Sequence, residues 1–136
     1  MSGLRIGIVD TGVNPWHSHV RGTVAGCRIY AGSDDAIAAA CEAAIAAGCV
    51  IVASARPDCP GWLPASLPGV HAVTADEALA DDEVRALGGC RLAAAGRPRD
   101  LAARPREANF SGHSFACARG LVHLARQRRA AVSRSS

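Results

Sequence analysis

The sequence predicts an α/β fold, a three-layer domain built on a small, mostly parallel sheet. Two apolar segments, residues 49–55 and 70–74, have the length and composition of buried strands. One segment with helical periodicity precedes the first strand, and another lies near the end of the chain. Because parallel strands need a crossover and are usually covered on both faces, this order favours a parallel sheet between helices.

The N-terminal part of the chain predicts two further strands. Residues 4–9 form an apolar run that ends at Asp10, and Thr11-Gly12 with Asn14-Pro15 supplies the turn residues that stop it. A carboxylate at the end of a parallel strand is well placed for a functional site. Residues 24–30 have the composition of a second, short strand.

The first helix is predicted to begin at a cap formed by Ser33 or Asp34 and to end at Gly48. Its apolar positions follow the 3.6-residue helical period: Ile37, Ala40, Cys41, Ala44 and Ile45. The strand at residues 49–55 follows directly, which makes a helix-to-strand unit.

The remaining segments complete the predicted order. Residues 56–68 contain four prolines and predict a loop at the carboxyl end of a strand, where open parallel sheets place their sites. After the strand at residues 70–74, we expect an acidic helix at residues 76–87 and an irregular stretch at residues 88–106. Helical periodicity returns at residues 114–127.

Length and composition indicate one domain. A chain of 136 residues that is 49% apolar covers a single core, and we expect this domain to span residues 1–127. Residues 128–136 are predicted to be a basic, disordered tail. Since five of the 15 arginines follow Cys117 without an acidic or aromatic residue among them, a solvated terminus is favoured and no nucleic-acid binding is expected.

No feature of the sequence predicts a membrane or metal site. The apolar stretch at residues 36–55 is broken by Glu42 and Gly48, short of the roughly 18 residues that a bilayer span requires. The sequence shows no export signal, so we expect a cytoplasmic protein with reduced thiols. The cysteines lack zinc-ligand spacing, and neither metal nor cofactor is expected: Cys27, Cys41, Cys49, Cys59, Cys90 and Cys117.

Four segments together resemble the subtilisin-like serine peptidases. Residues 6–13, IGIVDTGV, resemble the segment that carries the catalytic aspartate, and residues 111–116, SGHSFA, resemble the segment that carries the nucleophile at the start of a helix. Between them, residues 47–55 and 63–73 resemble a strand, a loop and the following strand of that fold. The resemblance covers about half of the chain and implies a trimmed subtilisin-like fold.

The resemblance implies a role for two residues. Ser114 would be the nucleophile and Asp10 the acid that orients the base. A serine hydroxyl needs such a base, because it is a poor nucleophile until a neighbouring group takes its proton. By the same resemblance, the substrate would be a peptide or protein.

Two parts of the family pattern have no clear counterpart. Residues 21–26, RGTVAG, resemble a collapsed form of the segment that carries the catalytic histidine, with Arg21 at the histidine position. Alternatively, residues 14–20 match the loop after the aspartate, and the histidine helix is absent. The oxyanion asparagine is also unmatched, since residues 55–57 read Ala-Arg-Pro and a proline has no N–H to donate.

Five histidines are candidates for the base. His17 and His19 follow Asp10 closely enough to fold back over the strand ends. His113 adjoins Ser114, but consecutive residues at a helix start point about 100° apart. His71 lies in a predicted strand and His123 well along the last helix, positions more typical of core or surface groups.

Several readings therefore stay open. The first is an intracellular serine endopeptidase, and the second is a catalytically inactive protein that binds a peptide or partner. A third is a deletion product that folds poorly because sheet edges are exposed. Asp10 as a turn cap and Ser114 as a helix N-cap are the structural alternatives. An aspartic peptidase reading of Asp10-Thr11-Gly12 predicts an all-β chain, which the alanine-rich helical segments disfavour.

Overall fold

The computed structural model describes residues 33–98, 103, 105–108 and 110–134. The predicted strands at residues 4–9 and 24–30 lie outside these residues. In chain order, the described elements are α1 (Asp34–Ala46), β1 (Val52–Ser54), β2 (His71–Ala75), β3 (Val84–Gly88), β4 (Arg91–Ala94), a 3-10 turn (Arg106–Ala108) and α2 (His113–Arg134).

The four described strands form one mixed sheet in the order β1-β2-β4-β3. β1 pairs with β2 and β2 with β4 in parallel, whereas β3 pairs with β4 antiparallel. The register places Val73 between Ser54 and Leu92. The α/β class and the mostly parallel pairing are thus as predicted.

The two long helices pack against opposite faces of the sheet. On one face, Val52, Val73 and Leu92 form a buried cluster with Ala116 of α2. On the other face, Ile51 and Ala53 pack with Cys41 of α1, with Val70 and with Leu67. Since successive strand residues point to opposite faces, the apolar run around β1 supplies both cores.

The first helix and the two parallel strands that follow it agree with the sequence prediction, with shifted ends. α1 ends at Ala46, and Gly48 follows with φ of 83°, a conformation that favours glycine. The strand predicted at residues 49–55 is limited to Val52–Ser54, and the next strand lies one residue later than predicted, at His71–Ala75.

The predicted acidic helix at residues 76–87 is wrong. Turns are followed there by β3, which begins at Val84, and the Asp76 carboxylate accepts the Ala78 N–H at 3.0 Å, a local bond that competes with helix formation. The irregular stretch predicted after it is also wrong in its first part, because β4 (Arg91–Ala94) lies there and forms a hairpin with β3. Gly89, with φ of 57°, and Cys90 make its turn, and Gly88, the last residue of β3, has φ of 96° next to a shift in the strand register.

The last helix is longer than the sequence predicts. It begins at His113 and continues past Gln127 to Arg134, and its residues from Arg126 onward are exposed. The boundary expected at residue 127 falls inside this helix, and disorder of the residues beyond it in solution stays a prediction. Within the described ranges, neither long helix combines the length and apolar character needed to cross a bilayer.

Candidate functional site

The start of α2 lies at the carboxyl edge of the sheet. Two hydrogen bonds hold it there: Gly112 donates its N–H to the Gly96 carbonyl just after β4, and Ala75, the last residue of β2, donates its N–H to His113 Nδ1, both at 2.9 Å. Gly96 allows this approach, because a Cβ at its position would lie 3.2 Å from the Gly112 carbonyl oxygen and 2.6 Å from the Ala75 Cβ. Ser114 is therefore placed at the edge where parallel sheets carry their sites.

Ser114 lies within the first turn of α2 and is exposed. The Gly112 carbonyl accepts the N–H groups of Phe115 and Ala116 at 3.2 and 3.5 Å, so Gly112 is the capping residue. The alternative of Ser114 as the N-cap is thus wrong. Among the described residues, none forms a hydrogen bond with Ser114 Oγ, which leaves the hydroxyl accessible without a described base.

His113 is half-buried beside Ser114, and a hydrogen bond from the Ala75 N–H to its imidazole ring holds it in place. Because Nδ1 accepts the Ala75 N–H, this nitrogen carries no proton, and the proton of the neutral ring is on Nε2. Neither nitrogen then offers a free lone pair to a serine hydroxyl. The pairing joins residues 38 positions apart, and no local pattern in the sequence could have predicted it.

A charged loop, residues 56–62, follows β1 at the carboxyl edge of the sheet. Arg56 forms a two-point ion pair with Asp58, with N to O distances of 2.7 and 3.3 Å, and its guanidinium lies 5.2 Å from the Trp62 ring centre. The hydrogen bond from Arg56 lowers the pKa of Asp58. The Asp58 charge is thus paired with Arg56 within the loop.

A cavity of about 550 Å³ lies next to this loop. Its lining includes Trp62 and Leu67 from the loop, Thr74 from β2 and Leu87 from β3. The sequence indicated the loop as a site region from its position after a strand, but not the cavity.

The other two described histidines lie away from Ser114. His71 is the first residue of β2, at the opposite end of that strand from Ala75. His123 comes nine residues after Ser114 on α2, which corresponds to about 14 Å along the helix axis, and its Nε2 lies 2.8 Å from Gln127 Nε2. Both positions fit the core or surface roles expected from the sequence.

The other predicted site residues lie outside the described part of the chain. These are Asp10, His17 and His19, so the structure does not test their approach to Ser114. Within the described ranges, no three His, Cys, Asp or Glu side chains are grouped as metal ligands. Five cysteines there are free thiols: Cys41, Cys49, Cys59, Cys90 and Cys117.

Comparison with known protein families, with curated proteins and with solved structures gives no significant match to this chain.

Proposed function

We propose that this chain is a trimmed relative of the subtilisin-like serine peptidases and that Ser114 is the nucleophile in hydrolysis of a peptide bond. The observation that carries the proposal is the position of Ser114, exposed in the first turn of a helix that begins at the carboxyl edge of a mostly parallel sheet. The segment resemblance at residues 6–13, 47–55, 63–73 and 111–116 supports it.

The proposed reaction needs a base that His113 does not supply. With Nδ1 bonded to the Ala75 N–H, the His113 ring has no lone pair left for the Ser114 proton. We therefore assign the base to His17 or His19, which follow Asp10 in the sequence, with Asp10 orienting it. The substrate is a peptide or protein of the cytoplasm.

Labelling with a fluorophosphonate probe tests the proposal. Such probes react with a serine hydroxyl only when a base activates it. We expect the folded protein to be labelled, Ser114→Ala to lose the label, and Ser111→Ala, the matched control three residues earlier, to keep it. Absence of label in a protein with a cooperative thermal unfolding transition would contradict the proposal.

A second candidate is a catalytically inactive protein that binds a peptide or partner. It is favoured by the absence of any hydrogen-bonded imidazole at Ser114 Oγ in the described ranges and by Pro57, which has no N–H to donate to an oxyanion. This candidate predicts no label on Ser114. It also predicts that Ser114→Ala binds an immobilised peptide as tightly as the wild-type protein does.

A further inference from the structure

The last N–H group of β2 needs an acceptor that its neighbouring strand does not provide. His71 donates its N–H to the Ile51 carbonyl, and Ala55 donates to the Val73 carbonyl, each at 2.8 Å. Donors on a parallel strand recur at every second residue, so a longer β1 would offer the Ala55 carbonyl to Ala75. Since β1 ends at Ser54, a different group must accept that N–H.

The His113 side chain is that group. Its Nδ1 lies 2.9 Å from the Ala75 nitrogen, in a half-buried position. The ring thus completes the hydrogen bonding of β2 at the point where β1 leaves the sheet. Gly112, the capping residue before α2, is bonded to Gly96 after β4, so the start of the helix is joined to the ends of two adjacent strands.

We infer that His113 is a positioning residue for Ser114, acting through Nδ1 by docking the first turn of α2 on the end of β2. This inference rests on the proposed function and names what holds its nucleophile. A serine that must meet both a base and a carbonyl carbon tolerates little displacement, and an error of about 1 Å can cost roughly 100-fold in rate. The Nδ1 bond and the Gly112 bond restrict that displacement.

Two conservative variants separate this role from the others that a histidine can play. An Asn side chain places its carbonyl oxygen near the position of Nδ1, whereas a Gln side chain reaches the position of Nε2. We expect His113→Asn to react with the fluorophosphonate at close to the wild-type rate. We expect His113→Gln and His113→Ala to react about 100-fold more slowly, because they release the start of α2.

Two measurements on the folded protein do not depend on activity. Nitrogen-15 NMR of the wild-type imidazole should show the proton on Nε2 and none on Nδ1. Exchange of the Ala75 amide should be slow in the wild-type protein and in His113→Asn, and faster in the other two variants.

The outcomes that would overturn the inference are distinct from failure of the proposed function. A proton on Nδ1 would show that this nitrogen does not accept the Ala75 N–H. Labelling that is kept by His113→Gln and lost by His113→Asn would show that the ring acts through Nε2. Equal labelling of all variants would show that the ring does not position Ser114. A wild-type protein that takes no label would contradict the proposed function, and exchange at Ala75 would still decide whether His113 docks α2.

Discussion

His71 is a half-buried histidine whose protonation opposes folding. It lies at the start of β2, and burial lowers its pKa, with the positive charge of Arg128 acting in the same direction. Arg128 is itself held near this end of the fold, because its guanidinium donates to the Gly48 carbonyl at 3.1 Å. The neutral imidazole is therefore the form that the folded protein favours.

This burial predicts a loss of stability at mildly acidic pH. The unfolded chain binds a proton at His71 near the ordinary pKa of about 6.5, and the folded chain binds it only at a lower pH. Above a pH of about 6.5, neutral His71 makes its full contribution to the free energy of unfolding. This contribution is lost as the pH falls from there towards the pKa of His71 in the folded protein, and it changes no further below that pKa. Urea unfolding at pH 8 and pH 5 measures the difference.

The pair His71→Gln and His123→Gln makes the test specific. The first substitution should reduce the loss of unfolding free energy between the two pH values, while the second, on the half-buried helix position, should leave it closer to wild type. An equal pH dependence in wild type and His71→Gln would contradict the assignment.

At the scale of the elements, the middle of α2 lies close to the sheet because residue 120 is a glycine. Gly120 is buried, and a Cβ at its position would lie 2.8 Å from Val73 Cγ2 and 3.7 Å from Leu92 Cδ1. The helix therefore lies closer to β2 than any other residue type at this position would allow. This close approach brings Ala116 into the buried cluster around Val73.

We predict that Gly120→Ala destabilises the protein by about 1 to 3 kcal/mol, the usual cost of overpacking a core. In an exposed helix the same change would stabilise by about 1 kcal/mol, so the sign of the effect tests the packing. The control is Gly61→Ala, since a Cβ there meets nothing within 4 Å. Denaturant unfolding that shows Gly120→Ala as stable as wild type would contradict the close approach.

The elements also show how far the sequence predicts this fold. The helical period of residues 37–45 was sufficient to predict α1, and the apolar run at residues 49–55 was sufficient to predict β1, because both patterns reflect burial directly. The β3-β4 hairpin was missed because the acidic residues near Asp82 and the apolar Leu79 imitate an amphipathic helix. The glycine pair at Gly88-Gly89 was the available signal for its turn.

The candidate site was predictable in part. Placement of Ser114 at a helix start follows from the periodicity of the last segment and from its glycine and serine residues. The anchoring of His113 by Ala75 depends on where β1 ends, which no local pattern in the sequence reports. Long-range contacts of this kind are fixed by the sheet as a whole.

At the scale of the whole molecule, Arg119 joins three distant parts of the chain. From α2, its guanidinium donates to the carbonyls of Asp81, before β3, and Arg97, after β4, the latter at 2.8 Å. It also lies 3.4 Å from the Asp81 carboxylate, with 21% of its own side chain exposed. The planar fork of the guanidinium allows these contacts to form together.

We predict that Arg119→Lys lowers the free energy of unfolding by about 1 to 3 kcal/mol, because one ammonium group cannot reach both carbonyls in the same geometry. Arg126→Lys, at an exposed position further along α2, is the matched control and should change stability by less than about 0.5 kcal/mol. Equal unfolding midpoints for the two variants would contradict the proposed role of Arg119.

The whole molecule is proposed to act through one hydroxyl, so the most direct measurement is the site at which a fluorophosphonate attaches. Mass spectrometry of the intact folded protein gives the number of adducts, and peptide mapping gives their position. We predict one adduct per chain, on Ser114, with none on Ser111 or Ser66. A folded protein without an adduct, or with the adduct on another serine, would contradict the assignment of Ser114 as the nucleophile.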